Sequence, residues 1–142
     1  MNARPGAANV RDEGRMVRAY LECALWSSTG DDDAPLDRDY DLTDFDASAL
    51  ESARATCDAF YTAHAVDLAT NTTGRDDLTQ AGHYLWLTRN GHGAGFWDGD
   101  YPDEPGKRLT DAAHALGESD CYVGDDGRVY LTETESERKA RP

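Results

Sequence analysis

The residues of this chain whose types and spacing could support catalysis are a histidine and an aspartate at the two ends of one aromatic segment. His83 and Asp98 flank the sequence YLWLTRNGHGAGFW, and a carboxylate beside an imidazole can orient it as a general base. No serine or cysteine can be placed beside this pair from the sequence, so a catalytic triad is unsupported. A small enzyme that uses the pair stays open, beside the simpler interpretation of a hydrogen bond at a strand end.

Alternate aspartates form a second pattern. Asp37, Asp39 and Asp41 resemble the start of an EF-hand calcium loop, but Leu42 stands at the sixth position instead of glycine and Ser48 at the twelfth instead of glutamate. A metal site is therefore not predicted, and neither is a cofactor. In an extended chain, alternate carboxylates lie about 6.6 Å apart on one side, which is close to the separation of phosphates along a nucleic-acid strand.

Net charge is the strongest signal in the composition. The 142 residues include 28 acidic and 14 basic side chains, which gives a net charge of −14. A field of this sign repels nucleic acid and anionic membranes and attracts basic surfaces. Direct binding to nucleic acid or to a membrane is therefore not predicted. A general bias toward aspartate, from a GC-rich or salt-adapted genome, explains the acidity almost as well as a function does.

Hydrophobic periodicity predicts three helices to position these residues. The first spans residues 15–26, the second spans 47–69 with Asp46 as its N-cap, and the third runs from near Lys107 to Gly117. The acidic segment between the first two has no helical or strand period and is predicted to be a long loop. The predicted buried faces consist of Met16, Val17, Tyr20, Leu21, Ala24 and Leu25, then Leu50, Ala53, Cys57, Phe60, Tyr61, His64 and Leu68, then Leu109, Ala112, Ala113 and Leu116.

Two β-hairpins are predicted as well, because Asn-Gly and Asp-Gly are strong signals for tight hairpin turns. The first hairpin turns at Asn90–Gly91, and the second at the Asp-Gly of CYVGDDGRVYL. In the first, one face carries the apolar residues Leu85, Leu87, Ala94 and Phe96. The other face carries Trp86 and Trp97 beside glycines, and is either packed across them or open to a partner. Glycines between two strands do not form a phosphate-binding loop.

The predicted fold class is α+β, with a small antiparallel sheet of two β-hairpins, about four strands, and three helices in the order α-α-ββ-α-ββ. The length suits a single domain. Residues 14–132 are predicted to form that domain, between a disordered N-terminal tail at 1–13 and a charged C-terminal tail at 133–142. Without an apolar run of about 20 residues or a signal-like N-terminus, and with three separated cysteines, the chain is predicted to be cytoplasmic.

The segment QAGHYLWLTRNGHGAGFWD, followed by RLTDAAHALGESDCYVGDDGRVYL, resembles a family of small proteins encoded by tailed phages and mobile elements. In that family an FWLTRNGHGAGFWD block precedes an RLT sequence and a terminal YVGDDG hairpin. The resemblance extends from about Tyr20 to Leu131, and Tyr84 and Leu85 stand where aspartate and phenylalanine are common. It implies a viral or mobile-element origin, and therefore a host cytoplasm, and it implies no catalytic residues.

Charge and resemblance together predict a non-enzymatic acidic protein that binds a host factor with a basic surface, such as a DNA-handling protein, as a nucleic-acid mimic directed against host defence. The predicted partner-binding residues are Asp37, Asp39, Asp41, Asp44, Trp86 and Trp97. One alternative is a small-molecule-binding protein or small enzyme that uses the aromatic hairpin face with His83 and Asp98, and a structural component of a virion is another. A contiguous arrangement of surface aspartates favours mimicry, whereas an even spread favours simple solvation.

Overall fold

A computed structural model describes residues 14–30, 32–92 and 94–132, and the two predicted tails lie outside the described residues. Within these ranges the chain forms four helices and one two-stranded antiparallel sheet, in the order α1 (Arg15–Trp26), α2 (Ala47–Leu68), α3 (Asp77–Arg89), α4 (Asp103–Ala115), β1 (Cys121–Val123) and β2 (Val129–Leu131). The prediction of four strands and three helices is therefore wrong. The residues assigned to the first hairpin form α3 and the loop that follows it.

The Asn-Gly dipeptide ends a helix instead of turning a hairpin. Asn90 is the C-cap of α3, and Gly91 has a φ of +71°. The Gly91 N–H donates to the Thr88 carbonyl at 3.1 Å, and the His92 N–H donates to the Leu87 carbonyl at 3.0 Å. These are the two hydrogen bonds of a Schellman motif. Because this motif and a type I′ turn both need a positive φ, the dipeptide does not distinguish them.

The helical period of α3 is hidden because the helix is buried on several sides. Residues 85–89 are all buried, and a helix that is buried all round shows no single apolar stripe. The predicted burial of Leu85, Leu87 and Phe96 is correct, although the strands that were to place them do not exist. Phe96 enters the core from the loop after α3, where its ring stacks on Phe60 at 5.7 Å between centroids.

Helices α1 and α3 touch through their backbones. A Cβ atom on Gly82 would lie 2.2 Å from the Met16 carbonyl oxygen and 2.9 Å from both the Ala19 Cβ and the Tyr20 nitrogen. Only glycine fits at this point of α3. One turn further along, the Trp86 ring meets the Tyr20 ring edge-on, with centroids 5.3 Å apart.

The other helices agree well with the periodicity. Helix α1 has the predicted bounds, and all six residues of its predicted stripe are buried. Helix α2 follows its predicted N-cap, Asp46, whose carboxylate accepts from the Ser48 N–H at 2.9 Å. Helix α4 starts earlier than predicted, at Asp103. Its first turn contains Asp103 and Glu104, whose negative charges interact favourably with the positive end of the helix dipole. Of the predicted inner-face residues, Tyr61 and Leu116 are exposed, and His64 lies half-buried at a break in α2.

The segment predicted as a long solvated loop is anchored in the core. It contains two short 3-10 helices, Leu36–Arg38 and Leu42–Asp44. Leu36 and Phe45 are 3% and 1% exposed. Because residues 36–38 form a 3-10 turn and Asp39 has helical backbone angles, residues 37–41 do not form the continuous extended backbone that the aspartate spacing assumed.

The second predicted hairpin is confirmed. Strands β1 and β2 pair in antiparallel register, with Tyr122 opposite Tyr130, and Gly127 supplies the positive φ of the turn at +80°. Phe45 forms a parallel bridge to Val129, and the Asp46 N–H donates to the Val129 carbonyl at 2.9 Å. The loop before α2 and the hairpin after α4 are therefore joined into one surface.

The contact at Gly82 makes a testable prediction for stability. We expect Gly82→Ala to lower the free energy of unfolding by about 3 kcal/mol, because the added methyl group meets fixed backbone atoms, against a gain in helix propensity of about 1 kcal/mol. Urea denaturation measures the change. The control is Gly91→Ala, where a Cβ has open space and only the positive φ is unfavourable. Its expected loss is about 1 kcal/mol, and equal losses would contradict the close helix contact.

Candidate partner-binding surface

The structure separates the two tryptophans that were predicted to share an aromatic face. Trp86 is 2% exposed, and its indole N–H donates to the Ser27 hydroxyl at 2.9 Å. Trp97 is 53% exposed in the loop after α3. Trp86 is thus a core residue, and the aromatic platform predicted from strand alternation does not form. Of the two, only Trp97 is accessible to a partner.

His83 and Asp98 are not brought into a catalytic arrangement. His83 is half-buried on α3, and burial lowers the pKa of its imidazole, with Glu22 and Arg75 as the charged groups that also influence it. Asp98 accepts a hydrogen bond from the Gly95 N–H at 3.2 Å. Among the described residues, no hydrogen bond joins the imidazole to this carboxylate. The pair was predicted from a hairpin register that does not exist.

The four predicted aspartates have different local roles. The Asp44 carboxylate accepts from the Asp41 N–H at 2.8 Å, and the Asp41 carboxylate accepts from the Thr43 N–H at 2.9 Å. Asp41 and Asp44 form a capping box, in which the Asp41 side chain also accepts from the Asp44 N–H, and the hydrogen bonds from Thr43 lower the pKa of Asp41. Asp39 pairs with the Arg38 guanidinium at 2.8 Å. Asp37 is exposed. The four do not form the evenly spaced row that mimicry of a single strand would need.

Carboxylates are nevertheless concentrated on one part of the molecule. We define the acidic surface as the described residues of segments 29–46 and 120–132, which the Phe45–Val129 bridge joins. These segments hold ten carboxylates and two guanidinium groups, whereas the other described residues hold twelve carboxylates and seven cationic side chains. The acidic surface therefore carries a net charge of −8 on about a quarter of the described residues. The charge is not evenly spread.

A groove crosses the acidic surface between its two segments. It has a volume of about 490 Å³, and its walls include the carboxylates of Asp32, Asp39 and Asp125 with the rings of Tyr40 and Tyr122. A neighbouring groove of about 500 Å³ is also lined by Tyr122. Among the described residues that line either groove there is no lysine or arginine. Carboxylates beside aromatic faces suit the binding of guanidinium and ammonium groups.

The sequence contained only part of the information needed to find this surface. The number of aspartates indicates a basic partner, and the Asp-Asp-Gly turn places Asp125 at a loop tip. Nothing local in the sequence indicates that segment 29–46 lies beside that turn, because their contact is made by single tertiary hydrogen bonds. One of these joins the Arg128 guanidinium to the Phe45 carbonyl at 2.6 Å.

Other kinds of chemistry find less support in the described residues. In the ranges 14–30, 32–92 and 94–132, no group of three or more histidine, cysteine, aspartate or glutamate side chains is arranged to hold a metal ion. Burial raises the pKa of the Cys23 and Cys121 thiols to about 12, so neither is a thiolate nucleophile at neutral pH.

Comparison of the chain with protein-family models, with curated proteins and with solved structures finds no match in any of the three. The resemblance to proteins of phages and mobile elements therefore stays a prediction. None of the helices that the structure describes has both the length and the apolar character needed to cross a bilayer.

Substitution of the two tryptophans tests their placement. We expect Trp86→Ala to lower the free energy of unfolding by about 3–5 kcal/mol, because it opens a large cavity beside Tyr20. We expect Trp97→Ala to change it by less than about 0.5 kcal/mol, since the side chain is mostly in solvent. Urea unfolding of both variants measures these losses. A large loss in Trp97→Ala with a small one in Trp86→Ala would reverse the assignment.

The Asp46 N-cap predicts a dependence on pH. Hydrogen bonds from Ser48, and after them the charge of Arg128, lower the pKa of this carboxyl. Its stabilising contribution is present above the unfolded pKa of about 3.9 and is lost as the pH falls through the folded pKa. We expect Asp46→Ala to be less stable by about 1 kcal/mol at pH 7, with a smaller difference from the unsubstituted protein below about pH 4.

Asp46→Asn is the matched control for the N-cap, because asparagine keeps a capping oxygen without the charge. Thermal unfolding of all three proteins across the pH range separates the two contributions. A deficit in Asp46→Ala that is the same at pH 7 and at acidic pH would show that the ionised carboxylate contributes nothing to the cap.

Proposed function

We propose that this chain is a non-enzymatic acidic protein of viral or mobile-element origin that binds a basic host protein in place of nucleic acid. The observation that carries the proposal is the concentration of charge, with a net −8 on the acidic surface. A field concentrated on one surface attracts and orients a basic partner, whereas an even distribution serves mainly solubility. The host cytoplasm, where DNA-handling proteins present such basic sites, is the compartment in which it acts.

The structure changes which residues are expected to contact the partner. Asp41 and Asp44 hold the loop in shape through their capping box, so we assign them a supporting role. Asp33, Asp37 and Asp125 are exposed on the acidic surface, and none of the three carboxylates accepts a hydrogen bond within the described residues. These side chains are available to a basic surface without disturbing the fold. Trp97 remains a candidate contact outside this surface.

The test uses two triple variants that remove equal charge from different places. Asp33→Asn, Asp37→Asn and Asp125→Asn neutralise the acidic surface, whereas Glu22→Gln, Glu51→Gln and Asp58→Asn neutralise exposed positions on α1 and α2. The immobilised protein first captures a host protein from lysate. The captured protein is purified and titrated against each variant. The titrations are repeated with duplex DNA as competitor and at increasing salt concentration.

We expect the acidic-surface variant to bind about tenfold more weakly, from about 0.5 kcal/mol for each exposed charge, and the control variant to lose less than half of that in free energy. Duplex DNA should displace the captured protein, and affinity should fall with salt because exposed charges are screened beyond about 8 Å. A captured protein that is indifferent to DNA, or equal losses in the two variants, would contradict mimicry by this surface.

A further inference from the structure

The two edges of the small sheet differ in what covers them. The outer edge of β2 is occupied, because Phe45 bridges Val129 and the Asp46 N–H donates to the Val129 carbonyl. No bridge to the outer edge of β1 occurs among the described residues. A strand edge without a partner presents a row of backbone donors and acceptors to any extended chain.

The hydrogen-bond pattern shows which groups of β1 point outward. The Gly124 N–H donates to the Arg128 carbonyl at 2.8 Å, and the Thr132 N–H donates to the Asp120 carbonyl at 2.9 Å. Hydrogen-bonded and non-hydrogen-bonded pairs alternate along an antiparallel ladder. Cys121 and Val123 therefore belong to non-hydrogen-bonded pairs, and their N–H and C=O groups point away from β2. Within the described chain no backbone hydrogen bond satisfies these four groups.

The open edge faces the groove that crosses the acidic surface and the neighbouring groove. Val123, which is partly exposed, lines the first groove, and Cys121, which is only 6% exposed, lines the second. Thr29 and Tyr122 line both, so the two grooves adjoin and together run along β1. The described residues of 27–30 and 32–36 supply the facing wall, and the volumes of about 490 and 500 Å³ leave room for a chain beside the strand.

The side chains that line the two adjoining grooves favour a cationic chain. The groove walls carry the carboxylates of Asp32, Asp39, Glu118, Asp120 and Asp125. Arg38 already pairs with Asp32 and Asp39, at 2.6 and 2.8 Å. Glu118, Asp120 and Asp125 form no ion pair within the described residues. Tyr122 is 39% exposed and stacks on Tyr130 with ring centroids 5.7 Å apart. The stacked pair offers an aromatic face to a guanidinium group.

We propose that an extended segment of the partner, with arginine or lysine at alternate positions, adds to the outer edge of β1 as a third strand. This inference rests on the proposed function and specifies the form of the partner that the acidic surface binds. Backbone hydrogen bonds to Cys121 and Val123 supply affinity, and alternate side chains supply specificity. The cationic side chains share a face with Tyr122 and reach the groove carboxylates.

The probe for this edge is a capped peptide of alternating arginine and valine, compared with the same peptide N-methylated at each internal amide. Both carry the same charge, but only the first can pair with a strand. We expect the unmodified peptide to shift the amide resonances of Cys121 and Val123 and to slow their hydrogen exchange. We expect N-methylation to weaken binding by about tenfold or more, the loss of one to two net hydrogen bonds.

A matched pair of substitutions tests the same edge from the side of the protein. Val123→Pro removes an outward N–H while leaving every β1–β2 hydrogen bond, which an edge strand tolerates, and Val123→Ala removes only side-chain volume. We expect about tenfold weaker peptide binding for the proline variant and less than about threefold for the alanine variant. Circular dichroism verifies that each variant is folded, and the N-methylated peptide decides the question even if the proline variant is not.

The outcomes separate the two proposals. If binding depends on the surface aspartates but N-methylation and Val123→Pro have no effect, strand addition is overturned and an acidic binding surface is retained. If the captured host protein binds equally well to the variant that carries Asp33→Asn, Asp37→Asn and Asp125→Asn, the charge-based function is overturned. If binding is weakened both by neutralising the surface aspartates and by blocking backbone pairing at the β1 edge, both proposals are supported.

Discussion

The backbone contact between α1 and α3 at Gly82 is the constraint on which the rest of the molecule depends. Because a side chain is excluded there, the two helices approach closely enough for Tyr20 to lie against the next turns of α3. Two turns beyond the contact, the Arg89 guanidinium donates to the Tyr20 hydroxyl at 2.9 Å and to the carbonyls of Gly117 and Leu116 at 2.7 and 3.1 Å. A cation among the terminal carbonyls of α4 complements the negative end of its dipole.

This chain of contacts extends to the candidate site. The Asn90 side-chain oxygen accepts from the Ser119 N–H at 2.8 Å, immediately before the start of β1. The end of α3 thus fixes both the end of α4 and the entry into the hairpin. The open strand edge is held in place by the helix pair α1 and α3, whose ends also line the neighbouring groove through Ser27, Trp86 and Asn90. Changes at Gly82 and Arg89 therefore influence the binding surface through position alone.

The sequence predicted some elements correctly, and the reasons are local. Helix α1 has one buried stripe, α2 has an aspartate N-cap, and the second hairpin has a glycine turn between two short apolar strands. Helix α3 could not be recognised in the same way, because its burial on several sides removes the period and because Asn90–Gly91 suits a helix end as well as a hairpin. That single ambiguity changed the predicted fold class and placed Trp86 on a surface that it does not occupy.

The sign of the charge on the candidate site could be predicted from the sequence, but the shape of the site could not. The excess of carboxylates is a property of composition, so a basic partner follows from the sequence alone. The grouping of these carboxylates depends on the contact between segments 29–46 and 120–132, which are distant in the chain. The capping box of Asp41 and Asp44 also escaped prediction, because Asp41 belongs to a run of alternate aspartates that fits an extended strand or a metal loop as well as a cap.

The hydrogen bonds that shape the acidic surface also determine the pH range over which its carboxylates stay ionised. The pKa values of Asp32, Asp41, Asp46 and Asp126 are all lowered, chiefly by hydrogen bonds from neighbouring backbone and side-chain groups. Such carboxylates resist protonation when the surroundings acidify. These four of the ten carboxylates on the acidic surface therefore reach half protonation only below the pH of about 3.9 at which an ordinary aspartate does, so this part of the negative field persists further into acid.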